Sequence, residues 1–127
     1  MVGMRDLMFS SQGRELAREQ LPQAIRSLCQ AGALNVVLSH RPSLMAEYAR
    51  SGAHLVFSGH AHGGQVRVPL LLNGLYAPNQ GFFPRYAGGL YDLDGTALAV
   101  SRGLSISRLP RVFNPPEAVV IDLVPAG

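Results

Sequence analysis

The chain reads Phe57-Ser58-Gly59-His60-Ala61-His62-Gly63-Gly64-Gln65 at the point where an apolar run gives way to a glycine-rich turn. Two imidazoles lie at alternate positions in this turn. Alternate residues of an extended segment share a face, so we expect His60 and His62 to converge on one site. The glycines at 59, 63 and 64 are expected to allow a close approach to the backbone. Imidazole is a favoured ligand of Zn, Fe, Mn or Ni, which indicates a metal role. Ordinary surface or core histidines are the alternative interpretation.

The region before this turn alternates between helical and extended patterns. A helix is expected to begin at Pro22, which suits a first turn because its missing N–H is harmless there. Residues 36–38 predict a buried strand, and residues 54–58 predict a second one. Between them, Ser43 can cap a second helix. This helix is expected to carry Leu44, Met45 and Tyr48 on one apolar face and to turn Glu47 to solvent. This alternation favours an α/β fold with parallel strands and crossover helices.

A histidine follows each of these two predicted strands. His40 comes after the first strand and His60 after the second. In open parallel sheets, ligand-binding groups collect just beyond the carboxyl ends of the strands. The sequence therefore predicts a metal site formed by His40, His60 and His62. His54 opens its strand at the opposite end and is expected to be structural or exposed.

The rest of the chain predicts shorter and less regular elements. Asp94-Gly95 favours a hairpin turn because both residues accept positive φ. The strands of this half are expected to be antiparallel. The elements predicted outside the helix–strand region are a loop at 6–20, a short strand at 65–68, a surface excursion at 69–88, paired strands at 90–93 and 96–100, and a final strand at 118–123.

Composition narrows the classes of function and partner. The 127 residues carry eleven basic residues, all of them arginine, against eight acids, for a net charge of +3. The arginines are scattered, so no nucleic-acid binding is expected, because a binding stripe needs local density. Cys29 is the only cysteine and is expected to be a small core residue, which excludes an internal disulfide.

No apolar run approaches the roughly 20 residues that span a bilayer. Met1 to Arg5 do not show the apolar segment of a signal peptide, which leaves the localisation open between cytoplasm and peripheral membrane. The apolar, aromatic segment Val68 to Phe83 is expected to pack on the body of the domain. Contact with a membrane surface or a lipid-like substrate is the alternative.

Several segments resemble those of the calcineurin-like metallophosphoesterases. The resemblance is to the bacterial phosphodiesterase branch, whose final motif continues Gly-Gly-Gln, and it runs from about Met1 through Leu123. The two segments similar to the last two metal motifs of that family are Ser39-His40-Arg41-Pro42 and Gly59-His60-Ala61-His62-Gly63-Gly64-Gln65. Further similar segments are Tyr76-Ala77-Pro78, Pro84-Arg85-Tyr86, Gly89-Leu90-Tyr91, Ser101-Arg102-Gly103-Leu104 and Phe113-Asn114-Pro115-Pro116-Glu117.

The resemblance implies a four-layer α/β/β/α sandwich with a two-metal site at the strand ends. His40 and His60 would bind one divalent ion and His62 the other, with Mn, Fe or Zn as the metals. Such ions clamp phosphate oxygens and supply a hydroxide for hydrolysis of a phosphodiester or phosphomonoester. Arg102, which follows a predicted strand, is a candidate phosphate contact, and a solvated arginine is the alternative.

The chain departs from the family pattern at one point. It contains none of the Asp-x-His, Gly-Asp-x-x-Asp and Gly-Asn-His-Asp/Glu motifs that precede these histidines in the family. We therefore expect residues 1–127 to be the C-terminal half of a phosphoesterase domain, a mixed sheet with a C-terminal β-hairpin. The N-terminal half would supply the missing ligands in cis or in trans, and the isolated chain would be inactive and prone to self-association. The alternative is a non-catalytic module with at most one weakly bound metal.

Overall fold

The structure is a computed structural model that describes residues 11–104 and 110–125. It contains two helices and six strands. In chain order the elements are helix α1 (Ser11–Arg26), strand β1 (Val36–Leu38), a 3-10 turn (Pro42–Leu44), helix α2 (Met45–Ala49), strand β2 (Leu55–Ser58), a 3-10 turn (His62–Gly64), and strands β3 (Tyr76–Ala77), β4 (Gly81–Phe82), β5 (Gly89–Leu93) and β6 (Thr96–Val100).

Four of the strands form one mixed sheet in the order β1-β2-β6-β5. Strands β1, β2 and β6 run parallel, and β5 pairs antiparallel with β6. Asp94 and Gly95 join β5 to β6, and both have positive φ. Strands β3 and β4 form a separate antiparallel pair. The predicted α/β class with a mixed sheet is confirmed. The expectation that all strands of the second half are antiparallel is wrong for β6, which pairs in parallel with β2.

Helix α2 packs against one face of the sheet, and helix α1 packs against α2. Val56 of β2 and Leu98 of β6 are buried in one cluster with Met45 and Tyr48 of α2 and Ile25 of α1. These contacts form the hydrophobic core of the described residues. Burial of such side chains stabilises the fold by about 1.5–3 kcal/mol each.

The opposite face of the sheet is apolar and partly exposed. The strand register aligns Leu38, Phe57, Ala99 and Leu90 in one row across this face. Leu38 is 57% and Leu90 is 71% exposed. Strand β1 was expected to be buried, but it lies at the edge of the sheet, so this part of the prediction is wrong. The four-layer sandwich, which would cover this face, stays a prediction.

Helix α1 extends further than the sequence predicts. Residues 11–20 are helical where a loop was expected, and Pro22 lies inside the helix rather than in its first turn. The expected loop residues 6–10 lie outside the described part. A proline inside a helix frees the carbonyl of residue i−4, which here belongs to Arg18. The guanidinium of Arg50 donates to that carbonyl at 3.4 Å, so the freed acceptor ties α1 to α2.

Helix α2 buries its predicted apolar face but also one acid. Glu47 was expected to be exposed, yet it is only 6% exposed. Its carboxylate lies 3.6 Å from Nε of Arg18 and 4.0 Å from Nη2 of Arg50, and these two cations offset the loss of water. The predicted Ser43 cap is wrong, because the N-cap of α2 is Leu44, without a side-chain hydrogen bond.

Three further predictions differ from the structure. Residues 65–68 form isolated bridges, Val66 with Val112 and Val68 with Leu72, and no strand. The segment 69–88 is more ordered than a surface excursion, because it contains β3 and β4 and buries Ala77 and Ala87. Residues 118–123 form no strand, and β-propensity alone does not create one without a partner to pair with.

Cys29 is half-buried and packs against the core, with Sγ 3.8 Å from the carbonyl oxygen of Ser51. The prediction that Cys29 is a core residue is therefore confirmed in part. Neither helix, over the described residues, has the length and apolar character that crossing a membrane requires.

Candidate metal centre

The parallel pairing of β1 and β2 brings two histidines together. Each strand ends two residues before its histidine, so His40 and His60 emerge at the same carboxyl edge of the sheet. Their ring centroids are 4.7 Å apart, with an angle of 65° between the planes. A Cβ built on Gly59 would lie 3.9 Å from Nδ1 of His40, which shows that the His40 ring lies over Gly59.

His60 has an unusual backbone and a defined polar neighbour. Its φ is +67°, a conformation that non-glycine residues seldom adopt. The side-chain amide of Asn79 donates to Nε2 of His60 at 2.7 Å. Asn79 lies in the turn between β3 and β4, so the segment predicted to be a surface excursion orients a site residue. The sequence analysis missed Asn79 because nothing local marks a hydrogen bond across so long a separation.

His62 does not reach the site in the way that the sequence predicts. An extended segment was expected to place His60 and His62 on one face, but Ala61 has helical φ/ψ and residues 62–64 form a 3-10 turn. Burial, then the positive charges of Arg111 and His40, lower the pKa of His62 below its ordinary value. These effects favour neutral imidazole, which is the form that binds a metal.

The glycines of the motif serve close packing inside the protein. Gly63 and Gly64 both have φ of +64°, and a Cβ on Gly63 would lie 2.1 Å from Oδ1 of Asn114. A Cβ on Gly64 would lie 2.4 Å from Cα of Gly74. The approach that these glycines permit is therefore to the protein itself, on both sides of the turn.

Asn114 fastens the turn that carries His62. Its buried amide nitrogen donates to the carbonyl oxygens of His62 at 2.7 Å and Gln65 at 3.1 Å. Backbone hydrogen bonds between residues 65–67 and Val112 extend this contact. A segment near the end of the described chain thus sets the position of the histidine turn. The sequence offered one signal that was not used, which is an asparagine enclosed by apolar residues and prolines.

Tyr48 fastens the loop that carries His40. Its hydroxyl donates to the carbonyl oxygen of Arg41 at 2.8 Å and lies 2.5 Å from Oγ of Ser39, which donates to it. Burial raises the pKa of Tyr48 to about 12. The sequence predicts Tyr48 only as part of an apolar helix face, so its polar role was missed.

The remaining candidates occupy other positions. His54 is exposed at the opposite end of β2, where its Nδ1 accepts a hydrogen bond from the backbone of Asn35 at 3.0 Å. This agrees with the structural role expected for it. Arg102 forms an ion pair with Glu117, whose pKa the guanidinium of Arg102 lowers. A phosphate contact by Arg102 stays a prediction.

The described residues supply part of a metal donor set. Among residues 11–104 and 110–125, no group of three or more His, Cys, Asp and Glu side chains is placed to hold a metal ion. A divalent ion with an open position for substrate commonly takes three protein ligands. The imidazoles of this chain therefore do not by themselves fit a two-metal centre.

Three curated bacterial proteins are similar to this chain. It is 33% identical over 90 residues to the uncharacterized metallophosphoesterase YkuE of Bacillus subtilis, an alignment that covers 70% of the chain and 30% of the relative. It is 40% identical over 91 residues to an uncharacterized metallophosphoesterase of Campylobacter jejuni, covering 70% of the chain and 22% of the relative.

The third relative is UDP-2,3-diacylglucosamine pyrophosphatase LpxG of Chlamydia muridarum, 32% identical over 94 residues, covering 68% of the chain and 28% of the relative. The aligned part thus spans less than a third of the length of each relative. No family profile and no solved structure matches it. The similarity to these relatives supports a metallophosphoesterase family.

Proposed function

We propose that this chain supplies the histidine ligands of a metal-dependent site that hydrolyses phosphoesters. The observation that carries the proposal is the contact between His40 and His60 at the carboxyl ends of neighbouring parallel strands. Ligand-binding groups collect at this edge in α/β sheets. The names of two relatives, which are metallophosphoesterases, support the same reaction class and a dependence on divalent metal.

The chain's own contribution is to orient its imidazoles and, at His62, to lower the pKa so that the neutral form is favoured. Tyr48 fixes the residues on both sides of His40, and Asn114 fixes the turn of His62. Residues that fix metal-binding histidines in place contribute about 10- to 100-fold to metal affinity or activity. Asn79 differs, because its amide donates to Nε2 of His60 and so occupies the lone pair of the neutral ring. A metal would bind His60 at Nε2 in place of this hydrogen bond.

We further propose that the carboxylate ligands come from outside this chain. The described residues hold no group of three candidate ligands, and the relatives are more than three times as long as the aligned part. A preceding segment of the same protein or a separate polypeptide would complete a centre for two Mn, Fe or Zn ions. We propose residues 1–127 as the C-terminal half of that domain.

The test is phosphodiesterase activity of the longest reading frame that contains this chain, with bis(p-nitrophenyl) phosphate and added Mn. We expect His60→Ala to lower kcat/KM by about 100-fold or more, since even supporting residues of metal sites contribute that much. The matched control is His54→Ala, at the far end of the same strand, which should stay within about twofold because surface changes have small effects. Equal losses in the two variants would contradict the proposal.

A second candidate is a non-catalytic module with at most one weakly bound metal. It is favoured by the incomplete donor set of the described residues. It predicts that the chain, purified with excess Mn or Zn, retains no more than about one ion per chain because a single imidazole pair binds weakly. It also predicts that co-expression with an N-terminal polypeptide restores no turnover. Restored turnover that His60→Ala abolishes would exclude this candidate.

A lipid-linked phosphoester is the substrate class that we propose for the complete protein. The support is the name of the Chlamydia relative, a pyrophosphatase of a diacylated sugar nucleotide. Hydrolysis of such a substrate, compared with bis(p-nitrophenyl) phosphate under the same conditions, tests this proposal. A higher kcat/KM for the lipid-linked compound would support it, and an equal or lower one would contradict it.

A further inference from the structure

A tight turn presents two leucines to solvent. Within residues 68–72, here called the leucine turn, the backbone N–H groups of Leu71 and Leu72 donate to the carbonyl oxygen of Val68, and Val68 N–H donates to the carbonyl oxygen of Leu72. Leu70 at the tip is fully exposed and Leu71 is 86% exposed. The turn is therefore preformed by its own hydrogen bonds.

The backbone at the tip of the turn has a left-handed conformation that is unfavourable for leucine. Leu70 has φ of +67°, where a residue with a Cβ is disfavoured. Glycine or asparagine would fit this position better and would be more soluble. An exposed leucine held in a disfavoured conformation points to a use for the side chain outside the fold.

A basic cavity lies directly behind the leucine turn. Its volume is about 550 Å³, and Arg67, Asn73, Arg102 and Phe113 line it together with the turn. Apolar side chains at the rim and cationic groups within are the two features that an anionic amphiphile requires. The cavity is distinct from the pair formed by His40 and His60, because neither histidine lines it.

The charge of the cavity is positive on balance. Arg102 is paired with Glu117, so its charge is largely compensated. Arg67 makes one side-chain hydrogen bond among the described residues, to the neutral amide of Asn73 at 2.6 Å. Most N–H donors of the Arg67 guanidinium are therefore available for an acceptor such as a phosphate oxygen.

We propose that the leucine turn inserts into the surface of an anionic phospholipid bilayer, with Arg67 in contact with the headgroup phosphates. Leu70 and Leu71 would enter the boundary between headgroups and acyl chains, where apolar side chains are favoured. Arg67 would add electrostatic attraction to anionic lipid. This binding does not depend on hydrolysis or on a metal, so it holds or fails separately from the proposed function.

The experiment is flotation of the 127-residue chain with vesicles in a density gradient, in which aggregated protein sinks and vesicle-bound protein rises. The vesicles are phosphatidylcholine alone or phosphatidylcholine mixed with phosphatidylglycerol. The variants are the double change Leu70→Ser with Leu71→Ser, and Arg67→Gln. The matched control is Leu90→Ser, a similarly exposed leucine on β5 that does not line the cavity. Circular dichroism of each variant verifies folding.

We expect the chain to float with the anionic vesicles and not with the neutral ones. The double leucine change should lower the partition constant by about tenfold or more, since two partly inserted leucine side chains would no longer leave water. Arg67→Gln should lower it about fivefold, the effect of one arginine near an anionic surface. Added salt should weaken binding through screening, and Leu90→Ser should bind like the unchanged chain.

Three results would overturn the proposal. One is equal flotation with neutral and anionic vesicles, which would exclude a role for the basic cavity. Another is an equal loss of binding in Leu90→Ser and in the double leucine variant, which would indicate general stickiness. The third is that the double change converts an oligomer to a monomer in light scattering and leaves flotation unchanged. The leucine turn would then be a contact between copies of the chain.

Discussion

Gly63 lies against the side-chain amide of Asn114, at a distance that leaves no room for a Cβ. The same amide donates to the backbone on both sides of the glycine pair. Internal packing therefore requires the glycines of the motif that carries His62, whatever metal its histidines bind. The glycine positions could be predicted from the sequence as places of close approach. The group that approaches could not, because Asn114 is distant along the chain.

Replacement of Gly63 by alanine tests this packing. We expect Gly63→Ala to lower the free energy of unfolding by about 3 kcal/mol, from left-handed strain and from the clash with Asn114. Gly32→Ala is the control, because Gly32 also has positive φ but open space around its Cβ position, and it should cost only about 1 kcal/mol. Urea denaturation measures both values.

A double variant separates the clash from the strain. Asn114→Ala removes the atoms that a Cβ on Gly63 would meet. Gly63→Ala combined with Asn114→Ala should therefore cost less than the sum of the single changes, by at least about 1 kcal/mol. Additive losses would show that the two residues do not restrict each other, contrary to the contact described above.

Glu117 makes the stability of the chain depend on pH. The side-chain hydrogen bond from Arg102 lowers the pKa of Glu117 below its ordinary 4.5. The folded chain then binds fewer protons than the unfolded chain in this range. The stability from this ion pair is complete above about pH 4.5 and is lost as the pH falls toward the lowered pKa.

Glu117→Gln removes this dependence. The melting temperature of the unchanged chain should fall more steeply between about pH 5 and pH 3 than that of Glu117→Gln. Asp94→Asn serves as the control, since Asp94 is an exposed turn residue whose positive φ asparagine also accepts. Parallel melting curves for Glu117→Gln and the unchanged chain would count against the ion pair as a source of stability.

At the scale of elements, the sequence predicted the two parallel strands with histidines at their ends. Short apolar runs, and glycines that end an element, are local signals that a sequence shows directly. The full length of helix α1 could not be predicted, because proline usually breaks a helix. Here Arg50, at the end of α2, donates to the carbonyl of Arg18 that Pro22 leaves without a helical hydrogen bond. The exposure of Glu47 was mispredicted for the same reason. Its two arginine partners include one from α1. Contacts between α1 and α2 therefore determine both the length of α1 and the burial of Glu47, and a local sequence pattern does not show such contacts.

Pro22→Ala tests how the two helices are tied together. Alanine restores an N–H that can donate to the carbonyl of Arg18, so we expect α1 to gain about 1–3 kcal/mol of stability. Arg50→Ala should then cost less in the Pro22→Ala background than in the unchanged chain, by about 0.5 kcal/mol. A thermal-denaturation cycle of the four proteins measures the coupling. No coupling would mean that the bond from Arg50 to Arg18 contributes nothing.

At the scale of the whole molecule, helix α2 packs on one face of the sheet over the described residues, and the other face is exposed at its edges. Leu38 and Leu90 are the exposed ends of the row on that second face, and Ala99 between them is buried. Exposed apolar patches of this kind mark contact surfaces. The absent carboxylate motifs led us to expect an incomplete domain, which stays a prediction. The row of exposed side chains depends on strand register, which sequence pattern alone does not specify.

Leu38→Lys should weaken self-association of the chain. The charge lies on the edge strand β1, where lysine discourages contact between sheets. We expect the dissociation constant of any oligomer to rise at least about tenfold, corresponding to about 1.4 kcal/mol. The fold itself should change little, because Leu38 is already exposed in it. Analytical ultracentrifugation measures the dissociation constant, with Leu104→Lys as a control on a loop. Equal association of both variants would exclude the open face as the contact.

The position of β6 between β2 and β5 has a consequence for the order of folding. Strand β2 finds this parallel neighbour only after the long connection from Ser58 to Thr96 has closed, and closing such connections slows folding. His60 and His62 lie in the first part of that connection, and Asn114, which fastens it, emerges still later from the ribosome. During synthesis the imidazoles are therefore present long before they are positioned, and we expect the candidate metal centre to be among the last parts of the chain to form.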